Sequence, residues 1–327
     1  MPVAEKKSIA ERLLEGDRTA VARLITWAEN GDRRFAKAFG RFYHKVGRAR
    51  RLGITGPPGA GKSTLVNELV GVMRAEERSV GVLAVDPSSP LTGGALLGDR
   101  IRMEGRTCDP GVFIRSMASR SSHGGLARSA VDACDVMDAF GFDDIILETV
   151  GVGQAEYDVV AAADTVLVVL CPGAGDGIQA MKAGLLEVAD VLVVNKDDVL
   201  GADRLAFDLE EAAHTRLAGR STWVTPVVRC SAGRGEGITD VIDAIMRHRE
   251  FLGEEGLLGR RAKQRVEQVR HTVGEALDEV LWGPHGYRAR TAALLEAGNT
   301  PYDVAAIIRD EVLEAGAPDA PAEDEEA

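Results

Sequence analysis

Aromatic residues are scarce in this chain of 327 residues, at 5% of positions, and cysteine is scarcer still, with four in all. Cys108, Cys134, Cys171 and Cys230 stand far apart and form no CxxC pair. That spacing argues against a disulfide framework and against a cysteine-based structural zinc site, so the four are expected to be small core residues. No apolar stretch approaches the roughly 18 residues that span a bilayer. Near the N-terminus, Lys6 and Lys7 precede only Ile9 and Ala10 before Glu11 and Arg12 intervene. Without an apolar h-region a secretory signal is not expected, and a cytoplasmic location follows.

A basic excess is also missing. The formal charge is −12, and five of the acids (Asp319, Glu323, Asp324, Glu325, Glu326) fall in residues 316–327, which read as a disordered acidic tail. Without that tail the charge is still about −7, which leaves no footprint for nucleic acid or an anionic membrane. His44, His123, His214, His248, His271 and His285 are scattered, so no His or Cys cluster of the kind a metal-insertion protein needs is evident.

What is present is the composition of an ordinary globular protein, 45% hydrophobic and 28% charged. Residues 5–47 contain no proline, and Ile9, Leu13, Val21, Leu24, Ile25, Phe35, Phe39 and Phe42 recur at helical spacing. They predict an N-terminal helical extension over residues 1–48. From Arg51 the pattern changes to short apolar runs between helical stretches: 52–55, 80–85, 112–114, 145–147, 166–170, 191–194 and 224–228. Runs apolar on both faces suit buried parallel strands joined by crossover helices. The fold class is therefore α/β, a doubly wound and mostly parallel sheet over residues 49–253. Beyond it, Ala262, Val266, Val269, Val273, Leu277 and Val280 are spaced three and four apart, predicting a helical arm over 254–315 in which Gly283-Pro284 ends the first helix.

An open sheet of this kind holds its ligand at the carboxyl ends of the strands, and the motifs begin there. Residues 56–63 read GPPGAGKS, the full G-x-x-x-x-G-K-[ST] pattern, directly after the run 52–55 and at the start of a helix. Gly56, Gly59 and Gly61 let the backbone curl around Pro58 and Ala60 so that successive N–H groups meet phosphate oxygens, aided by the positive end of the helix that continues through Thr64. Lys62 neutralises the β- and γ-phosphates, and Ser63 offers a hydroxyl to Mg²⁺.

Asn195-Lys196-Asp197-Asp198 matches N-K-x-D at the end of the run 191–194. The Asp198 carboxylate accepts two hydrogen bonds from the donor edge of guanine, which adenine lacks, so the expected nucleotides are GTP and GDP. The Lys196 stem is suited to cover the base plane. Ser231-Ala232 has the look of the short loop that offers a backbone N–H to the guanine carbonyl. The competing reading of Asp197 and Asp198 is that they cap the next helix.

Three acids are candidates for the metal: Asp86, Asp99 and Glu148. Glu148 to Gly151 has the shape of a D-x-x-G switch with glutamate in place of aspartate, and Gly151 is placed to give its N–H to the γ-phosphate. Asp86 also reads as a turn residue before Pro87, and Asp99 as a helix cap.

Residues 86–103 (DPSSPLTGGALLGDRIRM), 148–156 (ETVGVGQAE), 171–190 (CPGAGDGIQAMKAGLLEVAD) and NKDD together resemble the MeaB/ArgK-type GTPases, chaperones of adenosylcobalamin-dependent acyl-CoA mutases such as methylmalonyl-CoA mutase. The resemblance covers nearly the whole chain. It implies that Asp86, Asp99 and Glu148 serve the Mg²⁺ site, that the C-terminal arm forms a homodimer, and that a mutase is the partner; the three-four spacing of that arm equally fits a helix packed within its own chain. It also implies a third switch around Asp176 to Lys182 whose Gln179 and Lys182 swing toward the nucleotide; by residue pattern alone Lys182 reads as a solvated helix position. One departure lies in residues 119–126 (SRSSHGGL), where Ser121 stands in place of the glycine that usually follows the arginine; Arg120 and His123 carry no assigned chemistry. Two other activities remain open: a kinase of the amino-acid transport type and a metal-insertion GTPase.

Overall fold

The apolar runs form β1 (Arg50–Thr55), β2 (Val80–Pro87), β3 (Val112–Ser119), β4 (Asp144–Thr149), β5 (Thr165–Leu170), β6 (Val191–Val194) and β7 (Val227–Arg229). All the ladders are parallel, and the sheet order is β3-β2-β4-β1-β5-β6-β7. The computed structural model describes residues 7–87, 106, 108–119, 125–149, 162–173, 185–216, 223–283 and 286–315. β1 lies between β4 and β5, with Ile54 beside Glu148 on one side and Thr55 beside Val168 on the other. Crossing from one half of the winding to the other, this central strand opens the crevice in which such sheets hold ligands.

Both faces of the sheet are covered, which is why its strands are apolar at successive positions. Ile145 and Leu147 of β4 join a core with Leu13, Leu24, Ile25 and Phe42 of the N-terminal helices and Met137 of α5 (Gly125–Phe140). Ile146 between them faces the other way, toward Leu65 and Leu69 of α4 (Lys62–Ala75). The N-terminal helices α1 (Ile9–Leu14), α2 (Arg18–Glu29) and α3 (Arg33–Phe42) are thus part of the core of this domain. Their starts are set locally: Ser8 and Glu11 form a reciprocal capping box, while Asp17 and Asp32 accept from Thr19 N (2.8 Å) and Arg34 N (2.9 Å).

On the far side of β5, α6 (Leu185–Val188) and α7 (Ala202–Arg216) follow, and Ala206 and Leu209 pack on Val168 and Val194. Strand β7 begins later than its apolar run predicts. Pro226 has no N–H for a ladder and only accepts, from Leu192 N at 2.9 Å, while Trp223 Nε1 and Thr225 Oγ1 tie the preceding residues to the Asp190 and Ala189 carbonyls. Three cysteines are buried as expected, but Cys108 is exposed, because it lies in a surface turn before β3.

Helix α8 (Ile238–Trp282) is broken at Gly253, whose φ of 58° and ψ of −172° interrupt the helical path. Its segment up to Gln268 belongs to the main unit, where arginines clamp it to carboxylates at the amino ends of the strands. Arg260 pairs with Asp190 at 2.8 Å and Arg261 with Asp164 at 2.6 Å; Arg265 pairs with Asp135. Asp135 and Asp138 also hold Arg51, whose side chain is 2% exposed, at 2.8 and 2.9 Å. A second unit begins at Val269 and contains α9 (Arg288–Glu296) and α10 (Pro301–Ala315). Thr300 and Asp303 cap α10 reciprocally, and Arg290 meets Glu311 at 3.0 Å. No described helix is long and apolar enough to cross a membrane.

Asp132 of α5 accepts from Gln268 Nε2 at 2.7 Å, and burial, then the neighbouring Asp135, pushes its carboxyl up to about 7. A carboxyl raised in the folded state binds protons more readily there than when unfolded, so its contribution is fully present below the unfolded value and is lost as pH rises through about 7. Asp132→Asn should therefore flatten the fall in stability between pH 4 and pH 8 and gain at least about 1 kcal/mol at the upper end, read from urea unfolding at each pH.

Candidate nucleotide-binding site

The loop between β1 and α4 is shaped by close approaches that exclude side chains. Gly56 has φ 136°, and a Cβ there would fall 2.0 Å from the Val169 carbonyl oxygen of β5. Gly61 has φ 89°, and a Cβ would fall 2.3 Å from Asn195 Nδ2. Both positions need glycine, for backbone angle and for space. Gly59 also has positive φ, Pro58 is exposed beside it, and Ala60 is buried. Gly61 is the N-cap of α4, so the loop delivers its backbone directly to a helix N-terminus.

Lys62 is buried, and its Nζ donates to the Gly56 and Pro57 carbonyls at 2.7 and 3.0 Å. The ammonium is therefore held across the loop by two of its carbonyls. Thr64 is exposed in the first turn of α4. Ser63 is buried, and its hydroxyl donates to Glu148 Oε1 at 2.5 Å. Glu148 reaches it because β4 neighbours β1 and carries its carboxylate, 3% exposed as a residue, at the carboxyl end of the sheet. Thr149 follows, and its hydroxyl donates to Thr55 Oγ1 at 3.0 Å, locking the strand end beside the loop. Two hard oxygen donors converge at Ser63 and Glu148, with a cation one residue away.

The residues of the N-K-x-D motif assemble around Asn195. Its Nδ2 donates to the Ala60 carbonyl at 2.8 Å, and its Oδ1 accepts from Ala232 N at 3.0 Å. Lys196 follows with φ 60°, a left-handed backbone that turns the chain sharply. Asp197 and Asp198 then part company. Asp197 pairs with Arg229 of β7 at 2.5 Å, whereas Asp198 accepts from Ser231 Oγ at 2.6 Å and meets Arg234 at 3.0 Å. Neither carboxylate serves as the helix cap that the pattern alone allowed, since α7 begins only at Ala202. The Ser231 hydroxyl, aided by Arg234 and Lys196, holds the Asp198 carboxyl below its ordinary range, and so ionised as an acceptor. The Ser231 and Ala232 N–H groups donate to Glu236 O and Asn195 Oδ1, so this loop meets Asp198 through a side chain.

Asp86 is the penultimate residue of β2, opposite Ala118, with its side chain outside the described residues. Asp99, Arg120, His123, Gly151, Gln179 and Lys182 also lie outside them. Arg234 and the Thr55–Thr149 pair escaped the sequence reading. A basic residue three positions after Ser231 was visible, but its partner on another loop was not.

The model of the family described as "Methylmalonyl Co-A mutase-associated GTPase MeaB" matches residues 21–284. The chain belongs to the MeaB family of P-loop GTPases. It is 36% identical to the GTPase ArgK of Escherichia coli, over 81% of this chain and 82% of that one. A Pyrococcus abyssi protein with a provisional GTPase name is 50% identical over 81% of this chain and 82% of its own. The mouse methylmalonic aciduria type A homolog, a mitochondrial protein, is 38% identical over 68% of this chain and 53% of its own length. Among solved structures, that of a LAO/AO transport system kinase superposes with a TM-score of 0.71 at 28% identity, covering 94% of this chain and 98% of that one.

In this MeaB-family chain the phosphate-loop motif Gly56–Thr64 and the N-K-x-D motif Asn195–Asp198 thus meet, with Ser231 beside Asp198. Lys62→Ala should weaken GDP and GTP binding roughly 100-fold by removing charge-assisted contacts to phosphate, measured by fluorescent-nucleotide titration. Asp198→Asn should lower GDP affinity by at least about tenfold while improving xanthosine diphosphate binding, because an amide can donate where the carboxylate only accepted; unchanged selectivity would remove the base-reading role.

Proposed function

We propose that this chain is a checkpoint GTPase that couples GTP binding and hydrolysis to the loading and protection of adenosylcobalamin on an acyl-CoA mutase, with methylmalonyl-CoA mutase the favoured client. The observation that carries the reading is the family match over residues 21–284, whose description names association with that mutase. The mouse relative's name, which refers to methylmalonic aciduria, supports it.

In this reading Ser63 and Glu148 hold Mg²⁺, for which a hydroxyl and a carboxylate brought to 2.5 Å are a fitting oxygen donor pair. Asp86 and Asp99 complete the metal site. The chemistry a bound ion would supply there is dispersal of negative charge on the phosphates. Lys62 neutralises the β- and γ-phosphates, Gly151 senses the γ-phosphate, and Gln179 and Lys182 approach when the mutase is engaged, Lys182 acting on developing charge as an arginine finger does. The arm beyond Gly253 serves as a homodimer contact. Val266, Val269, Val273 and Leu277, each at least half exposed and spaced three or four apart, support that role.

The test is GTP hydrolysis by the purified full chain with and without purified methylmalonyl-CoA mutase. Stimulation of at least about tenfold, or an equal change in nucleotide affinity, is expected for a gated enzyme. If no acyl-CoA mutase changes either quantity, the chaperone role fails and the GTPase remains. A kinase is the second reading, favoured by the name of the structural neighbour at TM-score 0.71. Recovery of the γ-phosphate on an acceptor molecule instead of in water would establish it.

A further inference from the structure

The amino ends of the strands, remote from the phosphate loop, hold a second cavity. A cleft of about 400 Å³ opens between the turn that precedes β1, the end of α5 and helix α8. Four cations line it, Lys45, Arg48, Arg50 and Arg249, against the carboxylates of Asp138 and Asp143. This is an unusual surface for a chain whose net charge is −12.

Both carboxylates are engaged elsewhere. Asp138 accepts from the backbone N–H groups of Gly47, Arg48 and Ala49 at 2.9 to 3.0 Å and from Arg51 at 2.9 Å. Asp143 accepts from Ser79 N and Oγ, each at 2.7 Å. Arg50 is likewise paired, with Asp144 at 2.8 Å. The side chains of Lys45, Arg48 and Arg249 form no ion pair or hydrogen bond with a described residue.

Lys45 and Arg48 have an ordinary explanation, since they lie near the carbonyl end of α5, where positive charge is favoured. Arg249 does not. It is half-buried, and it also lines a narrow slot of about 40 Å³ walled by Ile242, Ile245, Leu252 and Leu257. Burial, then repulsion from Arg50, pulls its guanidinium below the ordinary arginine value, with Arg261 repelling it further and Asp164 and Asp144 only partly compensating. A cation stripped of water on one side and given no carboxylate is costly unless an anion completes it. Elsewhere along this edge, at Arg51, Arg78, Arg260, Arg261 and Arg265, the protein supplies that carboxylate itself.

We propose that this cleft is a binding site for a small oxyanion, a phosphate or carboxylate group gripped by Arg249 with Arg48 and Lys45 at the rim. The planar guanidinium fork matches two oxygens of either group, and the volume lies within the range of small-molecule pockets. The site is separate from the nucleotide's: Arg50 begins the strand whose far end, Thr55, leads into the phosphate loop.

The test uses the full chain saturated with GDP, so that the phosphate loop is filled, and titrates it calorimetrically with inorganic phosphate and, separately, with succinate. One saturable site is expected for at least one probe, and which probe binds assigns the anion's class. Arg249→Ala should weaken it at least about tenfold, Arg249→Lys less, with GDP affinity unchanged as the sign of an intact fold. Should Arg249→Ala lose GDP affinity, exposed Arg48→Ala makes the same comparison. Absence of saturable binding for both probes, or equal binding by the variants, overturns the proposal. So does self-association of the chain that depends on Arg249 without anion binding, which would give the cleft to a second copy.

Discussion

The side chain of Asn195 joins the parts of the nucleotide site that the chain supplies far apart in sequence. It is 2% exposed, donates to the carbonyl of Ala60 in the phosphate loop, and accepts from the N–H of Ala232 in the loop after β7. Phosphate loop, base-reading motif and closing loop are therefore fixed to one another through a single amide. Glycine at position 61 follows from the same contact, since any Cβ there would strike that amide. Such a pair of bonds contributes only about 1 kcal/mol each, but leaving either buried group unpaired costs more, so the amide specifies geometry more than it adds stability.

The two ends of the sheet are built on opposite electrostatic principles. At the carboxyl ends the charged groups meet neutral ones: the Lys62 ammonium donates to loop carbonyls and the Glu148 carboxylate accepts from the Ser63 hydroxyl. At the amino ends arginines and aspartates neutralise each other, with Arg51 between Asp135 and Asp138 and the arginines of α8 reaching Asp135, Asp164 and Asp190. Buried pairs of this kind add little net stability but are expensive to break singly, so they hold the helix in register against the strand starts. Asp190 shows the economy of the arrangement: it serves Arg260, His248 and the Val166 N–H together.

Much of this was legible in the residues. Seven apolar runs became seven parallel strands, because a strand buried on both faces must be apolar throughout, and that pattern survives any tertiary context. The phosphate loop was legible for a similar reason: positive φ and backbone proximity demand glycine at fixed positions. The late start of β7 was missed because an apolar run does not register that Pro226 lacks a ladder donor. Cys108 was misplaced because composition says where cysteines usually lie, not where a particular turn puts one.

By itself, the sequence determined the fold class, through the spacing of its apolar runs, and the family, through the resemblance its motifs carry. Tertiary structure alone decided the partners of the two adjacent aspartates. Asp197 turns to Arg229 and Asp198 to Ser231 and Arg234, and those partners arrive on β7 and its following loop. It likewise decided that Arg249 stands without a carboxylate partner among the described residues, while Arg260 and Arg261 of the same helix each have one. Pairing between charges depends on distances that folding sets, and chain order does not encode those distances.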